Sequence, residues 1–390
     1  MKFNINSKDF KELAEKAITC VNKKAAVADL TRIYLNVTED GKIEIRTSNL
    51  EHYLILEYDN IFNFEPGFCT IDNEDLKVVN KLSGIFTVTK EENKLIFDNG
   101  KKKLSIPCYD TYNISFPALK EEETKYVISV SKAWMLETLV KLDTFTTHIQ
   151  EKKNIAMECF NFNTAKNRIE ALDGHRIGIR LFPDSCKLGE EKSETTYMLS
   201  NKCVPVFKKV LDKKSNDSVE FYTDGNYNKL YGLNFVYYSK CTDATNYWKV
   251  EKMLYTSNYE QSCFVNRESL MEIAKYNKDL ENSKEKKMPM ILKCKNDTLY
   301  SYMKTSRYET LDSIETHNLN IKEGFTIAFN PAYLFEGLNI MEMEDVRIDL
   351  YNSKAPALMT CNDWKYLLLP VNLNSIEFGT LETRIEKLIA

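Results

Sequence analysis

The sequence predicts an α+β protein made of three similar domains, each with antiparallel sheets and two helices. A polar cap, a short amphipathic helix and two alternating strands occur three times, beginning at Ser7, Ser131 and Asn266. Each unit is followed by a second helix with its own strands, capped near positions 73, 201 and 330. Matching caps are one whole domain apart, too far for a solenoid repeat. Such repetition is more typical of a surface or ring than of one asymmetric catalytic pocket.

The first domain is predicted to span residues 1–123. Its first half consists of the helix SKDFKELAEKAITCV and the strands RIYLNV and KIEIRT, whose alternating apolar residues indicate a hairpin with one buried face. Its second half begins with a helix capped by Asp72 or Asn73 and stopped by Gly84. The strands IFTVTK, NKLIFD and KKLSIP complete this domain.

The second domain, residues 124–251, repeats this plan with SKAWMLETLVKL, MECFNFN and RIEALDG. A helix through VPVFKKVLDKK follows, capped by Ser200 or Asn201, and then the strands SVEFYTD and KLYGLNFVYYS. The third domain, residues 252–373, contains NRESLMEIAKY, PMILKCK and TLYSYMK. Its second helix has Asn330 as cap before a proline, and the strands VRIDLY, ALMTC and YLLLPV follow. Residues 374–390 form a C-terminal extension.

Composition narrows the functional class. The 390 residues are 43% hydrophobic and 28% charged, which is typical of a globular protein. No apolar run is long enough to span a membrane, and the N-terminus lacks a signal core, so we expect a cytoplasmic location. Ten scattered cysteines without a CxxC pair indicate reduced thiols. No phosphate-binding glycine loop occurs, and we expect no cofactor and no metal site.

Basic residues on and beside the helices allow two interpretations. They are either ordinary solvated lysines or a weakly positive lining that faces phosphate without reading sequence, and their positions alone do not decide. The net charge of −4 argues against a protein that grips nucleic acid with its whole surface. The candidates to face DNA are Lys23, Lys24, Lys77, Lys81, Lys208, Lys209, Lys213 and Arg267.

Several segments resemble the bacterial DNA polymerase III beta subunit, or beta sliding clamp, family. They are MKFNI at the start, FPAL, EALDGHRIGI, AFNPAYLFEGL and WKYLLLPVNL, and the similarity runs from residue 1 to about 373. The resemblance implies a non-catalytic head-to-tail homodimer whose six domains close into a ring around double-stranded DNA. The implied partners are the DNA polymerase III alpha subunit, the clamp loader and other proteins with a clamp-binding motif, near the nucleoid of a bacterial cytoplasm.

The resemblance also implies a hydrophobic cleft for partner peptides between the second and third domains. The matching positions are Met157, Leu172, Gly174, His175, Arg176, Ile177, Thr245, Lys249, Val250, Asn330, Tyr333, Leu367, Leu368, Leu369, Pro370, Val371 and Asn372. The family commonly has threonine at Leu172, proline near Thr245, and arginine near Lys249 and Asn372. We therefore expect a shifted motif preference. For the dimer seam, the matching residues are Leu104, Ile106, Ile273 and Tyr276.

The extension has Ile376, Phe378, Leu381, Ile385 and Leu388 at the spacing of a loosely amphipathic helix. Such a helix either covers the cleft or packs on the third domain. Alternatively, the extension is a disordered end.

Two alternative functions remain open at this point. A hydrolase would use Asp173 and His175 as a general acid/base pair, although no HExxH or GxSxG motif accompanies them. A divergent or mobile-element clamp paralogue would keep the fold and change its partners. Without the resemblance, the DGH segment is most simply a tight turn in which Gly174 adopts a conformation that other residues avoid.

Overall fold

We describe a computed structural model of the chain. The described residues are 1–79, 81–148, 154–189, 196–211, 217–243, 247–255, 259–280, 288–372 and 383–389. The chain divides into two compact units. The first contains residues 1–140 and 184–243, and the second contains residues 141–183 and 244–390. The predicted boundaries at 123 and 251 stay a prediction, because the compact units are built by strand pairing that crosses those boundaries.

The elements follow one another in the order that the repeats predict. The first part of the chain forms β1 (Lys2–Asn6), α1 (Ser7–Ala17), β2 (Arg32–Val37), β3 (Ile43–Ser48), β4 (His52–Tyr58), β5 (Phe62–Glu65), β6 (Gly67–Asp72), α2 (Asn73–Val79), β7 (Ile85–Glu91), β8 (Lys94–Asp98) and β9 (Lys103–Pro107). The middle part forms β10 (Lys125–Ser131), α3 (Lys132–Leu142), β11 (Cys159–Asn163), β12 (Arg168–Leu172), β13 (Arg176–Leu181), β14 (Lys187–Leu188), β15 (Thr196–Ser200), α4 (Val204–Val210), β16 (Ser218–Thr223), β17 (Tyr227–Gly232) and β18 (Phe235–Lys240). The last part forms α5 (Val250–Tyr255), β19 (Gln261–Asn266), α6 (Arg267–Asp279), β20 (Met290–Lys295), β21 (Thr298–Lys304), β22 (Glu309–Ile314), β23 (Thr316–Asn320), β24 (Thr326–Phe329), α7 (Pro331–Asn339), β25 (Asp345–Leu350), β26 (Ala357–Cys361) and β27 (Trp364–Leu368).

Side-chain caps start several of the helices, although α4 begins without one. Asn266 accepts a hydrogen bond from the backbone N–H of Ser269 at 3.0 Å, and Asn330 accepts one from Ala332 at 2.9 Å, as the sequence predicts. The first helix differs from the prediction. Asn6 is its cap, and the Ser7 hydroxyl accepts a hydrogen bond from the Gly84 N–H at 3.1 Å instead.

Antiparallel sheets form both units. In the first unit the strand orders are β5-β1-β7-β8-β9 and β14-β10-β16-β17-β18-β4-β3-β2-β6. In the second unit they include β11-β12-β13-β27-β26-β25-β19-β23 and β22-β21-β20-β24. The two long sheets join strands from different repeats. β18 pairs with β4, with Tyr237 opposite Leu54, and β27 pairs with β13, with Leu367 opposite Ile177.

The strand prediction was incomplete. The strands that precede the capped helices, β1, β6, β10, β15, β19 and β24, were not indicated. The first half of each repeat has a third strand, namely β4, β13 or β22, where the sequence indicated only two. The segment predicted as KLYGLNFVYYS is two strands, β17 and β18, because the chain turns at Leu233, whose side chain is exposed. Within the described residues, no helix is long and apolar enough to cross a membrane. None of the ten cysteines, all of which lie in the described residues, forms a disulfide, and each is buried or half-buried.

Candidate functional site

A small apolar cavity lies in the second unit, where the turn between β12 and β13 meets the end of β27. Its volume is about 80 Å³, and its wall is formed by Leu172, Gly174, Arg176, Ile177, Trp248, Met253, Leu367 and Leu369. Pairing of β13 with β27 brings two of the walls together, and the Leu369 N–H extends this contact by donating to the His175 carbonyl at 3.0 Å. The lining favours an apolar side chain of a bound molecule.

A buried hydrophobic cluster forms the floor of the cavity. Its fully buried members are Leu172, Ile177, Ile179, Val250, Leu254 and Leu367, against which Met157, Trp248 and Met253 pack. The short helix α5 supplies Val250 and Leu254 from positions i and i+4, which share one helix face. The floor is therefore part of the core of the unit, so the cavity is held by core packing.

The DGH sequence forms the tight turn that the sequence indicated. Gly174 has φ +90°, and an added Cβ would lie 3.2 Å from the Met157 side chain. The Asp173 carboxylate closes the turn, since it accepts hydrogen bonds from the His175 backbone N–H at 3.0 Å and from the Arg176 Nε at 2.9 Å. Only glycine tolerates this backbone conformation without strain.

Arg176 is fixed by protein groups on every side. Besides Asp173, its guanidinium donates to the Glu336 carboxylate and to the Thr144 carbonyl at 3.0 Å. It also lies 4.2 Å from the centre of the Tyr333 ring. Burial alone would lower the pKa of Arg176, but Tyr366, Glu336 and Asp173 raise it above its usual range. Arg176 thus shapes the rim of the cavity as a permanent positive charge with its hydrogen bonds directed into the protein.

His175 is exposed on the turn. Its ring stacks on Tyr333 with centroids 5.8 Å apart. The hydrogen bonds of the Asp173 carboxylate go to the backbone of His175 and to Arg176. These hydrogen bonds hold the turn in shape. An acid/base pair would require the Asp173 carboxylate to contact the His175 ring, and its hydrogen bonds go elsewhere.

The other predicted cleft residues surround the cavity at different depths. Leu368 is fully buried on the opposite face of β27, and Asn330 serves as the cap of α7. Lys249 and Asn372 are exposed, Pro370 is half-buried, and Val371 donates its N–H to the Ala328 carbonyl at 2.8 Å. Thr245 lies outside the described residues.

Two wall residues were not predicted. Trp248 and Met253 belong to the stretch around α5, from which the resemblance had named only Thr245, Lys249 and Val250. The signal was the apolar spacing of Trp248, Val250, Met253 and Leu254, which is too dense for a solvated linker.

The candidate DNA-facing residues are mostly exposed. In the first unit, Lys23, Lys24, Lys77, Lys81, Lys208 and Lys209 all reach solvent. Helices α1 and α4 pack together there, and Lys209 forms an ion pair with Glu15 at 3.1 Å. In the second unit, Arg267 donates to the Met343 carbonyl at 2.9 Å. Lys213 lies outside the described residues.

The four predicted seam residues differ in exposure. Tyr276 on α6 is exposed, and Ile273 and Leu104 are half-buried. Ile106 on β9 is buried within its own unit, so its side chain packs in that core and is not exposed at a seam.

Comparison with known proteins relates these features to one family. Residues 256–372 match the family model for the DNA polymerase III beta subunit, C-terminal domain. The chain is 22% identical to the beta sliding clamp of Lactococcus lactis over 398 residues, covering 96% of this chain and 100% of that protein. Over nearly its whole length the chain is similar to beta sliding clamps, and residues 256–372 match the C-terminal domain of that family. The match confirms the resemblance seen in the sequence motifs.

Solved structures of clamps share the fold. The beta subunit from Streptococcus pyogenes has a TM-score of 0.83 at 17% identity, covering 96% of this chain and 100% of that one. The Helicobacter pylori beta clamp bound to a DNA ligase peptide has a TM-score of 0.78 at 18% identity, covering 95% and 100%. These clamps confirm the predicted α+β, three-domain architecture.

Proposed function

We propose that the chain is a sliding clamp: a homodimeric ring that encircles duplex DNA and tethers the replicative polymerase through the apolar cavity. The observation that carries the proposal is the way in which strands from different repeats join. The last strand of one repeat pairs with the third strand of another, as β18 does with β4 and β27 does with β13. Applied once more, this rule would pair β9 with β22, and each of these strands is the edge of its sheet.

That remaining join explains a head-to-tail dimer. Exposed edge strands favour association, and a heterologous contact repeated twice in a two-fold assembly closes with neither β9 nor β22 left unpaired. β9 of each subunit would pair with β22 of its partner, so that six similar domains form a continuous ring. Leu104, Ile273 and Tyr276 are the proposed seam residues, with Ile106 supporting β9 from within.

The helix face of the first unit supports contact with the DNA backbone. Helices α1 and α4 lie against each other and carry exposed lysines, among them Lys208 and Lys209. Lysine gives mobile contacts to phosphate without sequence specificity, which suits a ring that must slide. Retention would come from the closed ring, so high DNA affinity is unnecessary.

The cavity supports the binding of partner peptides. A DNA ligase peptide is bound by the Helicobacter pylori clamp, and the apolar wall here fits a leucine- or phenylalanine-like anchor. The proposed partners are the DNA polymerase III alpha subunit, the clamp loader and other proteins with a clamp-binding motif. The chain would act as a non-catalytic processivity subunit in the bacterial cytoplasm, associated with the nucleoid.

A second candidate is a divergent or mobile-element paralogue with altered partners. Leu172, Trp248 and Met253 make the cavity wall largely apolar, which favours a partner motif with a larger apolar anchor. Primer extension on a long circular single-stranded template, with the host loader and polymerase, distinguishes the two. The replicative clamp lengthens the products, whereas a paralogue leaves them short.

Ring formation is tested by the mass in solution. One chain is 45.4 kDa, and sedimentation equilibrium should give about twice that mass. A second arm measures retention on closed circular DNA before and after linearisation. A ring is retained on the circle and lost from the linear form. A stable monomer, or equal loss from both DNA forms, contradicts the proposal.

A further inference from the structure

The C-terminal extension ends in a helix that lies on the sheet β22-β21-β20-β24. Residues 383–389 are helical, and Ile385 is fully buried against Ile291, Tyr302 and Ala328. This outcome agrees with the expectation of a helix packed on the third domain. Residues 374–382, including Ile376, Phe378 and Leu381, lie outside the described residues.

Ion pairs on both sides of this helix bind it to the sheet. Arg384 binds the Glu309 carboxylate of β22 with two hydrogen bonds of 2.8 and 2.9 Å. On the opposite side, the Glu386 carboxylate lies 2.6 Å from the ammonium groups of Lys293 and Lys295 of β20. A seven-residue helix is not stable alone in water, so these contacts and Ile385 determine its position.

The contacts also indicate which way the side chains of Leu388 and Lys387 face. Residues four apart share one side of a helix, so Leu388 lies on the same side as Arg384, toward β22. Leu388 is 39% exposed although it is apolar. Lys387 lies opposite the buried Ile385 and is exposed. The helix therefore presents an apolar side chain toward the edge strand of its sheet.

The face on which the helix lies is opposite α6. Thr310 of β22 donates a hydrogen bond to Asn277 of α6 at 2.8 Å, whereas the neighbouring Glu309 and Leu311 contact the C-terminal helix. Alternate residues of a strand face opposite sides of its sheet, so the two helices cover the two sides of β22. The same alternation applies to β9, where the buried Ile106 and the exposed Ser105 lie on opposite faces of the strand.

We propose that the C-terminal helix is an additional part of the subunit interface, in which Leu388 contacts the outer face of β9 in a second copy of this chain. The inference rests on the proposed pairing of β9 with β22. In that arrangement the neighbour of β22 on the Leu388 side is the strand that carries Lys103 and Ser105, which are exposed in the single chain. The Leu388 side chain would be buried between that strand and its own helix, and Arg384 would hold β22 in position for pairing.

The decisive variant is Leu388→Ser, with Lys387→Ser as its matched control. The dimer dissociation constant is measured by sedimentation velocity over a dilution series, and unfolding temperatures are recorded for each variant. We expect Leu388→Ser to raise the dissociation constant about five- to tenfold, because a partly exposed leucine loses further burial at the seam. Lys387→Ser should leave the dissociation constant unchanged, and both variants should unfold at the wild-type temperature.

A truncation before residue 374 provides the second measurement. Loss of the whole helix should weaken the dimer at least as much as Leu388→Ser does. If the wild type is a dimer and Leu388→Ser dissociates like Lys387→Ser, the interface role of the helix is wrong while the ring proposal stands. If the wild type remains a monomer at every concentration, both proposals fall.

Discussion

Gly337 gives a test in which two opposing effects can be compared in size. It lies inside α7, beside the residues that contact Arg176, and its replacement by alanine would normally strengthen the helix by about 1 kcal/mol. An added Cβ would, however, lie 2.1 Å from Cε1 and 2.4 Å from Cδ1 of the Tyr366 ring. Both distances are far below van der Waals contact, so either the ring or the helix must move.

Tyr366 has little freedom to move. Its side chain is fully buried, its hydroxyl donates to the Tyr333 carbonyl at 2.8 Å, and its ring packs against Phe145 with centroids 5.2 Å apart. An overlap this close, with a ring that cannot move away, belongs at the upper end of the usual overpacking cost, about 2–3 kcal/mol, which exceeds the gain in helix propensity. We therefore expect Gly337→Ala to destabilise the second unit by about 1–2 kcal/mol. Because α7 also carries Tyr333, peptide affinity at the cavity should fall.

The measurement is hydrogen exchange in β27 and α7, combined with peptide titration, because the chain has more than one unit and a single two-state transition is not expected. The Tyr366→Leu background supplies the control, since the smaller side chain makes room for the Cβ. Gly337→Ala should then cost less in that background than in the wild type. A Gly337→Ala protein as stable as the wild type would refute the reasoning.

Three further predictions concern the cavity, the lysines and pH. Trp248→Ala should weaken binding of an apolar polymerase-derived peptide by about tenfold or more, because Trp248 forms the wall, while the exposed Lys249→Ala should change titrated affinity by less than about twofold. Lys81→Ala with Lys208→Ala should reduce the slope of log affinity for duplex DNA against log salt by about 0.9 per contacting lysine, whereas Lys322→Ala, paired with Glu260, should not alter it. His52 is buried beside Tyr237 at the β4–β18 join, and burial lowers its pKa to about 4. Its neutral form is therefore favoured in the folded state, so up to about 3 kcal/mol of stability should be lost as pH falls from 6.5 to 4, and His52→Gln should flatten that dependence in thermal unfolding.

The sequence predicted the repeats well and the strands at their joins poorly. Strands such as β2 alternate between buried and half-buried residues and were recognised by that period. β13 is buried at nearly every position because both of its edges are paired and both of its faces are covered, so it shows no alternation. β22 is mostly polar and partly exposed, and it also lacks the pattern. Neither β13 nor β22 shows the two-residue alternation, because the burial of each strand is set by the elements that pack against it and not by its own sequence.

Some residues of the cavity could likewise be predicted from the sequence, and others could not. The turn from Asp173 to His175 and the end of β27 carry short motifs and could be assigned from the resemblance. The apolar spacing around Trp248 and Met253 indicates that they are buried but does not place them in the wall, because that place depends on α5 folding back onto the cluster around Ile177. The hydrogen bonds of Arg176 to Glu336 and Thr144 join residues far apart in the chain, and no local pattern indicates them.

In the proposed ring, the attraction to DNA and the residence time on DNA depend on different parts of the protein, although most DNA-binding proteins couple the two. With a net charge of −4, the chain as a whole repels DNA, and attraction is limited to exposed lysines on helices such as α1 and α4. In the proposed ring, residence on DNA is then limited by opening of the β9–β22 seam and not by dissociation of phosphate contacts. Changes at Leu388 or Glu309 should therefore shorten residence on closed circles at constant salt, whereas changes at Lys81 or Lys208 should alter encounter with DNA. The opposite assignment of these two effects would mean that charge, and not closure, retains the protein on DNA.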